Sequence, residues 1–291
     1  MVKYKKSKGE IIFEICNTIF MVLLVIVTLY PVYYVLIASV SDPMKILEGN
    51  GLLLYPKDFS LENYKTAFEY APLWIGYRNT IFYVTVTVVV AIIFTVMGAY
   101  ALTRREVPGQ SLIMFMIVLT MYFSGGLIPT YMVMRELHLL DTIWAVLLPG
   151  ILNTYNLIVT MSYFRGLPYE LEEAAKMDGA SEYTVLFKIL LPLAKPVVAV
   201  IGLYYMVSEW NSYFGPMIYL SDPQLKPLQV VLREILIQNQ ADNLVNNDGD
   251  TAFAEGLKYA VIIIASAPLM AAYPFIQKYF VKGVTVGAVK G

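Results

Sequence analysis

Long apolar runs alternate with short polar segments along most of this chain. Six runs occupy residues 11–38, 80–102, 111–134, 142–164, 185–207 and 257–280. Each is longer than the roughly 20 residues that a helix needs to cross the hydrocarbon core of a bilayer. The first run is about twice as long as the apolar part of a secretory signal peptide, so we expect it to be retained. The pattern predicts an all-α integral membrane protein with six transmembrane helices.

The positions of lysine and arginine predict how these helices are oriented. With the amino terminus inside, the predicted cytoplasmic segments hold 12 of the 21 basic residues and the much longer outer loops hold eight. The remaining one, Lys195, lies within the fifth run near its inner end, where a lysine can snorkel to the membrane surface. Because basic residues are concentrated in cytoplasmic loops, we expect both termini to be cytoplasmic.

Two predicted outer loops are long, residues 41–79 and 208–256. The second loop is acidic, with seven carboxylates against two basic residues. Its residues 225–238 carry apolar side chains at helical spacing, which predicts a short amphipathic helix. This helix either packs on a partner outside the membrane or caps the chain's own helices, and the sequence leaves both open.

Composition narrows the possible functions. The chain is 58% hydrophobic and 15% charged, against about 45–50% and about 25% in soluble domains. A net charge of −1 gives no basic field for nucleic acid. A single cysteine and a single histidine exclude a disulfide framework, a zinc site and a histidine-based catalytic dyad. Residues 246–255 resemble a calcium loop, but Leu244 occupies its first ligand position, so we expect no metal.

The segment between the fourth and fifth runs is polar and helix-forming. Pro168 suits the first turn of a helix, where its missing N–H costs nothing. Three glutamates follow near the positive end of the helix dipole: Glu170, Glu172 and Glu173. Gly179 can end this helix in the left-handed conformation, and Ser181 can cap the next one. The segment therefore predicts two short helices joined at an angle, with Pro192 and Pro196 kinking the chain as it enters the fifth run.

One face of the first short helix is suited to close contact with another protein. Its members include two small side chains, which let another backbone approach: Leu171, Ala174, Ala175 and Asp178. The alternative is an interfacial helix that rests on lipid headgroups. Anionic lipid would repel the acidic residues of this segment, so docking is the interpretation that we favour.

This segment resembles the EAA signature of ABC importer permeases. Glu173-Ala174-Ala175, then Gly179, then Ile189-x-Leu191-Pro192 match the motif in residue type and spacing. Residues 122–129 (YFSGGLIP), 144–150 (WAVLLPG) and 153–156 are similar to carbohydrate-uptake permeases of the lipoprotein-associated, complex-polysaccharide subgroup. The tail, residues 282–291, is similar to that of the smaller maltose-importer permease subunit. The resemblance covers nearly the whole chain and is strongest over residues 75–291.

The resemblance implies the fold of a type I ABC importer transmembrane domain and a role as the permease subunit of an ATP-driven oligosaccharide importer that works by alternating access. Residues 1–74 would form a cytoplasmic tail, the first helix and the first outer loop. Residues 75–291 would form the permease core, with a coupling loop (165–192), a long outer loop (208–256) and a C-terminal tail (281–291).

The resemblance also implies which residues meet a cytoplasmic ATPase. The coupling residues would be Glu172, Glu173, Ala174, Ala175, Asp178, Gly179 and Pro192. Glu173 would pair with a basic residue of the ATPase. In the tail, Gly283, Gly287 and Lys290 would reach between the ATPase subunits.

The partners follow from the same resemblance. The chain has no G-x-x-x-x-G-K-[ST] phosphate loop, so ATP and Mg²⁺ would be bound by another polypeptide, and we expect no cofactor in this chain. The implied assembly contains a second homologous permease subunit, two ATP-binding subunits and an extracellular solute-binding lipoprotein. It would lie among the lipids of a bacterial plasma membrane.

Aromatic and amide side chains mark a candidate sugar pathway, since such groups recognise sugars in pre-formed cavities. They lie in the fourth run and at the outer end of the fifth: Asn153, Tyr155, Asn156, Tyr205, Trp210, Asn211 and Tyr213. The alternative for the aromatic residues is a belt at the membrane interface, where Trp and Tyr are enriched.

Three other functions compete with this interpretation. A secondary transporter would need ionisable groups within its spans, and these runs carry almost none. A membrane enzyme would need a catalytic motif such as H-E-x-x-H or G-x-S-x-G, and neither is present. An ABC permease for a non-sugar solute remains open.

Overall fold

The computed structural model describes residues 7–47, 51–104, 107–242, 256–272 and 274, and within these ranges the chain is helical. The helices are α1 (Lys8–Ser39), α2 (Pro43–Leu47), α3 (Glu62–Glu69), α4 (Ala71–Ala101), α5 (Gln110–Tyr122), α6 (Leu127–Glu136), α7 (Trp144–Gly150), α8 (Thr154–Arg165), α9 (Glu170–Met177), α10 (Glu182–Thr184), α11 (Leu191–Leu193), α12 (Lys195–Trp210), α13 (Phe214–Tyr219), α14 (Leu228–Asp242) and α15 (Gly256–Ala272). A π-helix, Val185–Leu190, joins α10 to α11. The all-α prediction is confirmed for the described residues.

Three helical stretches are long and apolar enough to cross a membrane: α1, α4 and the stretch Trp144–Arg165, which combines α7 and α8. Two further runs are bent helix pairs, and α15 is apolar but shorter within the described residues. The count of six membrane crossings stays a prediction.

The third apolar run is not one straight helix, so the prediction for residues 111–134 is wrong. α5 and α6 meet at 114°. Gly126 between them has a φ of 84°, which a residue with a Cβ rarely adopts. Its N–H donates to the Ser124 side chain at 3.2 Å, which stabilises the turn. A glycine pair and one hydroxyl therefore break the helix despite the apolar sequence on both sides.

The fifth run is also broken, and its predicted start at residue 185 is wrong. The stretch Glu182–Leu193 meets α12 at 83°. Pro192 and Pro196 flank the bend, and neither has an N–H to continue the helical hydrogen bonds. The predicted kink at these prolines is confirmed. α12 therefore begins at Lys195, which lies at the end of the span rather than within it.

Contacts within the chain define two compact units. The first contains residues 1–70 and 234–266, and the second contains residues 71–233 and 267–291. In the first unit, the Asn63 amide donates to the carbonyl oxygens of Ser39 (3.3 Å) and Ser41 (3.0 Å), which ties α3 to the end of α1. No pattern in the sequence indicated this division into units.

The core of the second unit forms where α4 packs against α8 and α12. Small side chains such as Ala91 and Ala99 are fully buried and let the helices approach closely. The buried Thr95 hydroxyl lies 2.7 Å from the Tyr205 hydroxyl, which links α4 to α12. α4 is therefore the central helix of this unit.

The amino-terminal end of α4, which is predicted to face outward, holds the segment that leads into α14. The Asn79 amide donates to the carbonyl oxygens of Gln224 (2.7 Å) and Lys226 (3.0 Å). The Tyr83 hydroxyl donates to the carbonyl of Leu225 at 2.9 Å. We call residues 224–231 the outer segment.

The amphipathic helix predicted at residues 225–238 is present as α14. Its N–H at Leu228 donates to the Thr80 hydroxyl at 2.8 Å. The apolar side chains of Leu228, Val231 and Ile235 are buried. The sequence left open whether this helix packs on a partner or caps the chain's own helices. The contacts at the start of α14 favour the cap.

Gly76→Ala is expected to lower the melting temperature of the purified permease. A Cβ at Gly76 would lie 3.0 Å from the Cα of Leu228, and backbone cannot move aside as a side chain can. Such overpacking costs about 1–3 kcal/mol. Gly98→Ala in the same helix is the matched control, because its Cβ would meet only the Leu157 side chain at 3.4 Å. Equal melting temperatures for the two variants would contradict the packing described here.

Candidate coupling site

The turn between α9 and α10 has the geometry that its sequence predicts. Gly179 has a φ of 79°. Its N–H donates to the Lys176 carbonyl at 3.0 Å, and the Ala180 N–H donates to the Ala175 carbonyl at 3.0 Å. These two bonds form a Schellman motif, which ends α9 and satisfies carbonyls that have no partner within the helix. Ser181 then caps α10 by accepting a hydrogen bond from the Thr184 N–H.

Only part of the predicted docking face is exposed. Glu173, Ala174 and Asp178 are exposed, and Met177 beside them is 87% exposed. Glu172 is only 3% exposed and Ala175 only 8%. α9 packs on the π-helix. Glu172 and Ala175 lie on the packed side of α9 and therefore point into the chain itself. The prediction that they lie on the docking face needs correction, and we keep Glu173, Ala174 and Asp178 as the exposed face.

The buried carboxylate of Glu172 is neutralised by two cations. One of its oxygens contacts the Arg104 guanidinium, and the other lies 3.2 Å from the Lys176 ammonium. The geometry of the second contact is that of an ion pair rather than an aligned hydrogen bond. An unpaired carboxylate in this position would be costly to bury, so the cations explain why α9 can turn an acidic residue inward.

Two further residues complete this cluster. The Lys176 ammonium also lies 2.8 Å from the Glu182 carboxylate, and the Tyr100 hydroxyl donates to the same carboxylate. The Arg104 guanidinium stacks over the Tyr100 ring at 4.3 Å. We call Tyr100, Arg104, Glu172, Lys176 and Glu182 the inner cluster.

Glu182 is the first residue of α10. It precedes the bend before α12 and so lies outside the span that α12 forms. The hydrogen bond from Lys176 has the largest effect on this carboxyl, and the hydrogen bond from Tyr100 has the second largest. Both lower the pKa of the Glu182 carboxyl below its ordinary value. The carboxyl is therefore ionised at neutral pH, and the inner cluster keeps two carboxylates between two cations.

A second candidate site is a cavity of about 310 Å³ between the α7–α8 break and α12. None of the residues that line this cavity is charged: Pro149, Gly150, Leu152, Asn153, Tyr155, Asn156, Tyr204, Tyr205 and Ser208. The Tyr205 hydroxyl accepts a hydrogen bond from the Asn153 N–H at 3.1 Å, and the Asn153 side chain caps α8. The structure thus brings together Asn153, Tyr155, Asn156 and Tyr205.

The other three predicted pathway residues lie elsewhere. Trp210 is buried and lines a separate apolar cavity of about 150 Å³. The Asn211 amide donates to the Val207 carbonyl at 2.8 Å, and the Tyr213 ring lies 5.3 Å from the Arg233 guanidinium. We therefore remove these three from the cavity.

Five of the lining residues are not among the predicted pathway residues: Pro149, Gly150, Leu152, Tyr204 and Ser208. Ser208 could have been found, since it lies one helical turn after Tyr204 and Tyr205 and so shares their face. Gly150 carries no side-chain signal. Its position depends on the break between α7 and α8, which an apolar run does not reveal.

Some predicted residues fall outside the described part of the chain. These are the tail residues Gly283, Gly287 and Lys290 and the calcium-like loop at 246–255. Among the residues that the structure describes, no group of three or more His, Cys, Asp or Glu side chains is placed to hold a metal ion.

Comparison with known proteins identifies the class of protein that this fold and site define. Residues 107–286 match the family described as binding-protein-dependent transport system inner membrane components, and the chain belongs to this family. The predicted resemblance to ABC importer permeases is confirmed. The chain is a membrane-embedded permease of a transport system, with the fold of a type I ABC importer transmembrane domain.

Three relatives extend over nearly the whole chain. Protein LplC of Bacillus subtilis (strain 168) is 39% identical over 98% of this chain and 97% of its own length. The polygalacturonan/rhamnogalacturonan transport system permease protein YtcP of the same organism is 37% identical over 94% and 96%. A chain from the crystal structure of a bacterial ABC transporter involved in the import of the acidic polysaccharide alginate is 34% identical, with a TM-score of 0.88 over 96% of this chain and 100% of that chain.

Proposed function

We propose that this chain is the permease subunit of an ATP-driven importer that carries oligosaccharides, including fragments of complex polysaccharides, into a bacterial cell. One observation carries the proposal: α9 and α10 form a bent element with an exposed face of Glu173, Ala174 and Asp178, and the buried Arg104–Glu172 ion pair holds the opposite side of α9. A helix held in this way can pass on a rigid-body push without deforming.

The source of that push is a separate ATPase, since this chain has no phosphate loop. The ATPase binds ATP and Mg²⁺, and its closure moves α9 and α10 of the permease. Glu173 is the proposed anchor, because it is the exposed glutamate of the EAA segment while its neighbour Glu172 is buried. A second homologous permease subunit completes the transmembrane path, and a solute-binding lipoprotein delivers the sugar from outside. Both termini of this chain lie in the cytoplasm.

The substrate class is supported by two observations. Relatives that span nearly the whole chain are named for polygalacturonan/rhamnogalacturonan and arabinooligosaccharide transport, and the similar structure is of an alginate importer. The cavity beside α12 presents two amides, three phenols and a serine hydroxyl, which are groups that bind sugar hydroxyls.

The test is ATP hydrolysis by the complex purified through an affinity tag on this chain and reconstituted with the cognate binding protein. We expect oligosaccharides to stimulate hydrolysis and amino acids or peptides to leave it unchanged. Stimulation by a non-sugar solute alone would exclude the substrate class. A purified chain that transports solute without any ATPase would exclude the whole proposal.

A further inference from the structure

We infer that α4 is a strut that relays the movement of the coupling helix to the outer segment, with Glu172 as the positioning residue that attaches α9 to this strut. The inference deepens the proposed function, since it assigns the buried residue of the coupling element a role in transmission. The chain's covalent connection runs from α9 through α10 to α12. The path through α4 is made by side chains alone.

The inner end of α4 is attached to both arms of the bent element. Arg104, just beyond the last turn of α4, holds α9 through the Glu172 carboxylate. Tyr100, in the last turn, holds α10 through the Glu182 carboxylate. Lys176 bridges the two carboxylates at 3.2 and 2.8 Å, so the attachments form a closed ring rather than two independent contacts. The hydrogen bond from Tyr100 to the Glu182 carboxylate is charge-assisted, and such bonds are about twice as strong as neutral ones.

The Arg104–Glu172 pair is mostly buried, and both residues line a cavity of about 590 Å³. The side chain of Glu172 is 5% exposed and that of Arg104 is 16% exposed. Buried pairs are screened much less than surface pairs, and removing one partner leaves the other charge buried without compensation. The Arg104–Glu172 pair therefore acts as a stiff joint, unlike an exposed ion pair.

The outer end of the same helix is attached to the outer segment. Asn79 and Tyr83 hold its carbonyl groups and Thr80 holds the first N–H of α14, as described above. Between Thr80 and Tyr100 the helix is continuous for 20 residues, which is about 30 Å. A movement of α9 that carries Arg104 must therefore also move the residues that hold the outer segment.

Hydrogen–deuterium exchange in the outer segment tests the strut directly. The complex is purified through a tag on this chain, and exchange at Leu228, Gln229, Val230 and Val231 is compared with and without a non-hydrolysable ATP analogue. We expect the analogue to change exchange there in the wild type. Glu172→Gln should abolish this response and lower sugar uptake at least about fivefold, the lower end of typical coupling between sites. Glu170→Gln, which removes an exposed charge from the same helix, is the matched control and should retain both.

A double variant distinguishes a coupled pair from two separate defects. Arg104→Gln with Glu172→Gln should be no more impaired in uptake than the worse single variant, because neither charge is then left unpaired. Additive losses would overturn the pairing. An unchanged exchange response in Glu172→Gln, or loss of the ATPase from that complex during purification, would overturn the strut. The exchange measurement needs no sugar, so its result is independent of the substrate test of the proposed function.

Discussion

Gly179→Pro abolishes ATP-driven sugar uptake while the chain still inserts into the membrane; this is the largest effect that we expect from one substitution. Gly179 has a φ of 79°, whereas proline is fixed near −65°. Proline also lacks the N–H that donates to the Lys176 carbonyl. Forcing α9 out of the Schellman turn changes its direction relative to α10, so the exposed face can no longer meet the ATPase. Uptake of labelled sugar into cells, with the membrane content of the variant measured on blots, checks this result.

The matched control is Gly51→Pro. Gly51 also has a positive φ of 84° and lies in the loop after α2, away from the coupling site in sequence. We expect the membrane content of both variants to be similar and only Gly179→Pro to lose uptake. Normal uptake in Gly179→Pro would refute the assignment of α9 and α10 as the coupling element.

Glu173→Lys is expected to release the ATPase from the complex. Removing one partner of a buried charge pair at an interface costs about 2–5 kcal/mol, which corresponds to roughly a 30-fold or greater loss of affinity. Reversal of the charge adds repulsion to that cost. Because Glu173 is exposed and has no role in the inner cluster, the permease itself should remain folded. The measurement is the amount of ATPase that co-purifies with the tagged chain at low and high salt.

Glu69→Lys serves as the control for the charge change alone. Glu69 is exposed in the last turn of α3, where a lysine suits the helix dipole. Glu69→Lys should leave the amount of co-purified ATPase unchanged. Equal ATPase retention by Glu173→Lys and Glu69→Lys would mean that Glu173 is not the anchor.

The sequence predicted the helical elements better than their directions. Apolar runs and helix-end residues were sufficient for α1 and the Gly179–Ser181 turn, because each depends on local chemistry. The predicted start of α4 at residue 80 is wrong, since the helix begins at Ala71, within the predicted outer loop 41–79. The run at 111–134 was predicted as one helix and the run at 185–207 as a helix kinked near its start, yet each is broken by a few residues whose effect depends on packing. Pro192 and Pro196 indicated the second bend, but neither residue fixes an angle of 83°.

The sequence predicted the two short helices α9 and α10 and the turn between them, but not which side of α9 is buried. The EAA pattern begins at Glu173, but it does not show that the adjacent Glu172 is turned into the chain. Burial separates them, and it depends on Arg104, which lies almost 70 residues earlier in the chain. The cavity residues show the same limit. Tyr155 and Tyr205 line one cavity beside the break between α7 and α8, while Tyr213 has the same chemistry and lies elsewhere.

The predicted orientation of the chain gives the bend before α12 a consequence for the bilayer. Two prolines remove helical donors for carbonyl groups, and unpaired carbonyl groups are costly in hydrocarbon. The Tyr163 hydroxyl supplies one donor, to the Leu193 carbonyl at 3.1 Å. With the fifth run entering from the cytoplasmic side, we expect the bend to stay at the membrane surface, so that a thicker membrane thins locally around it.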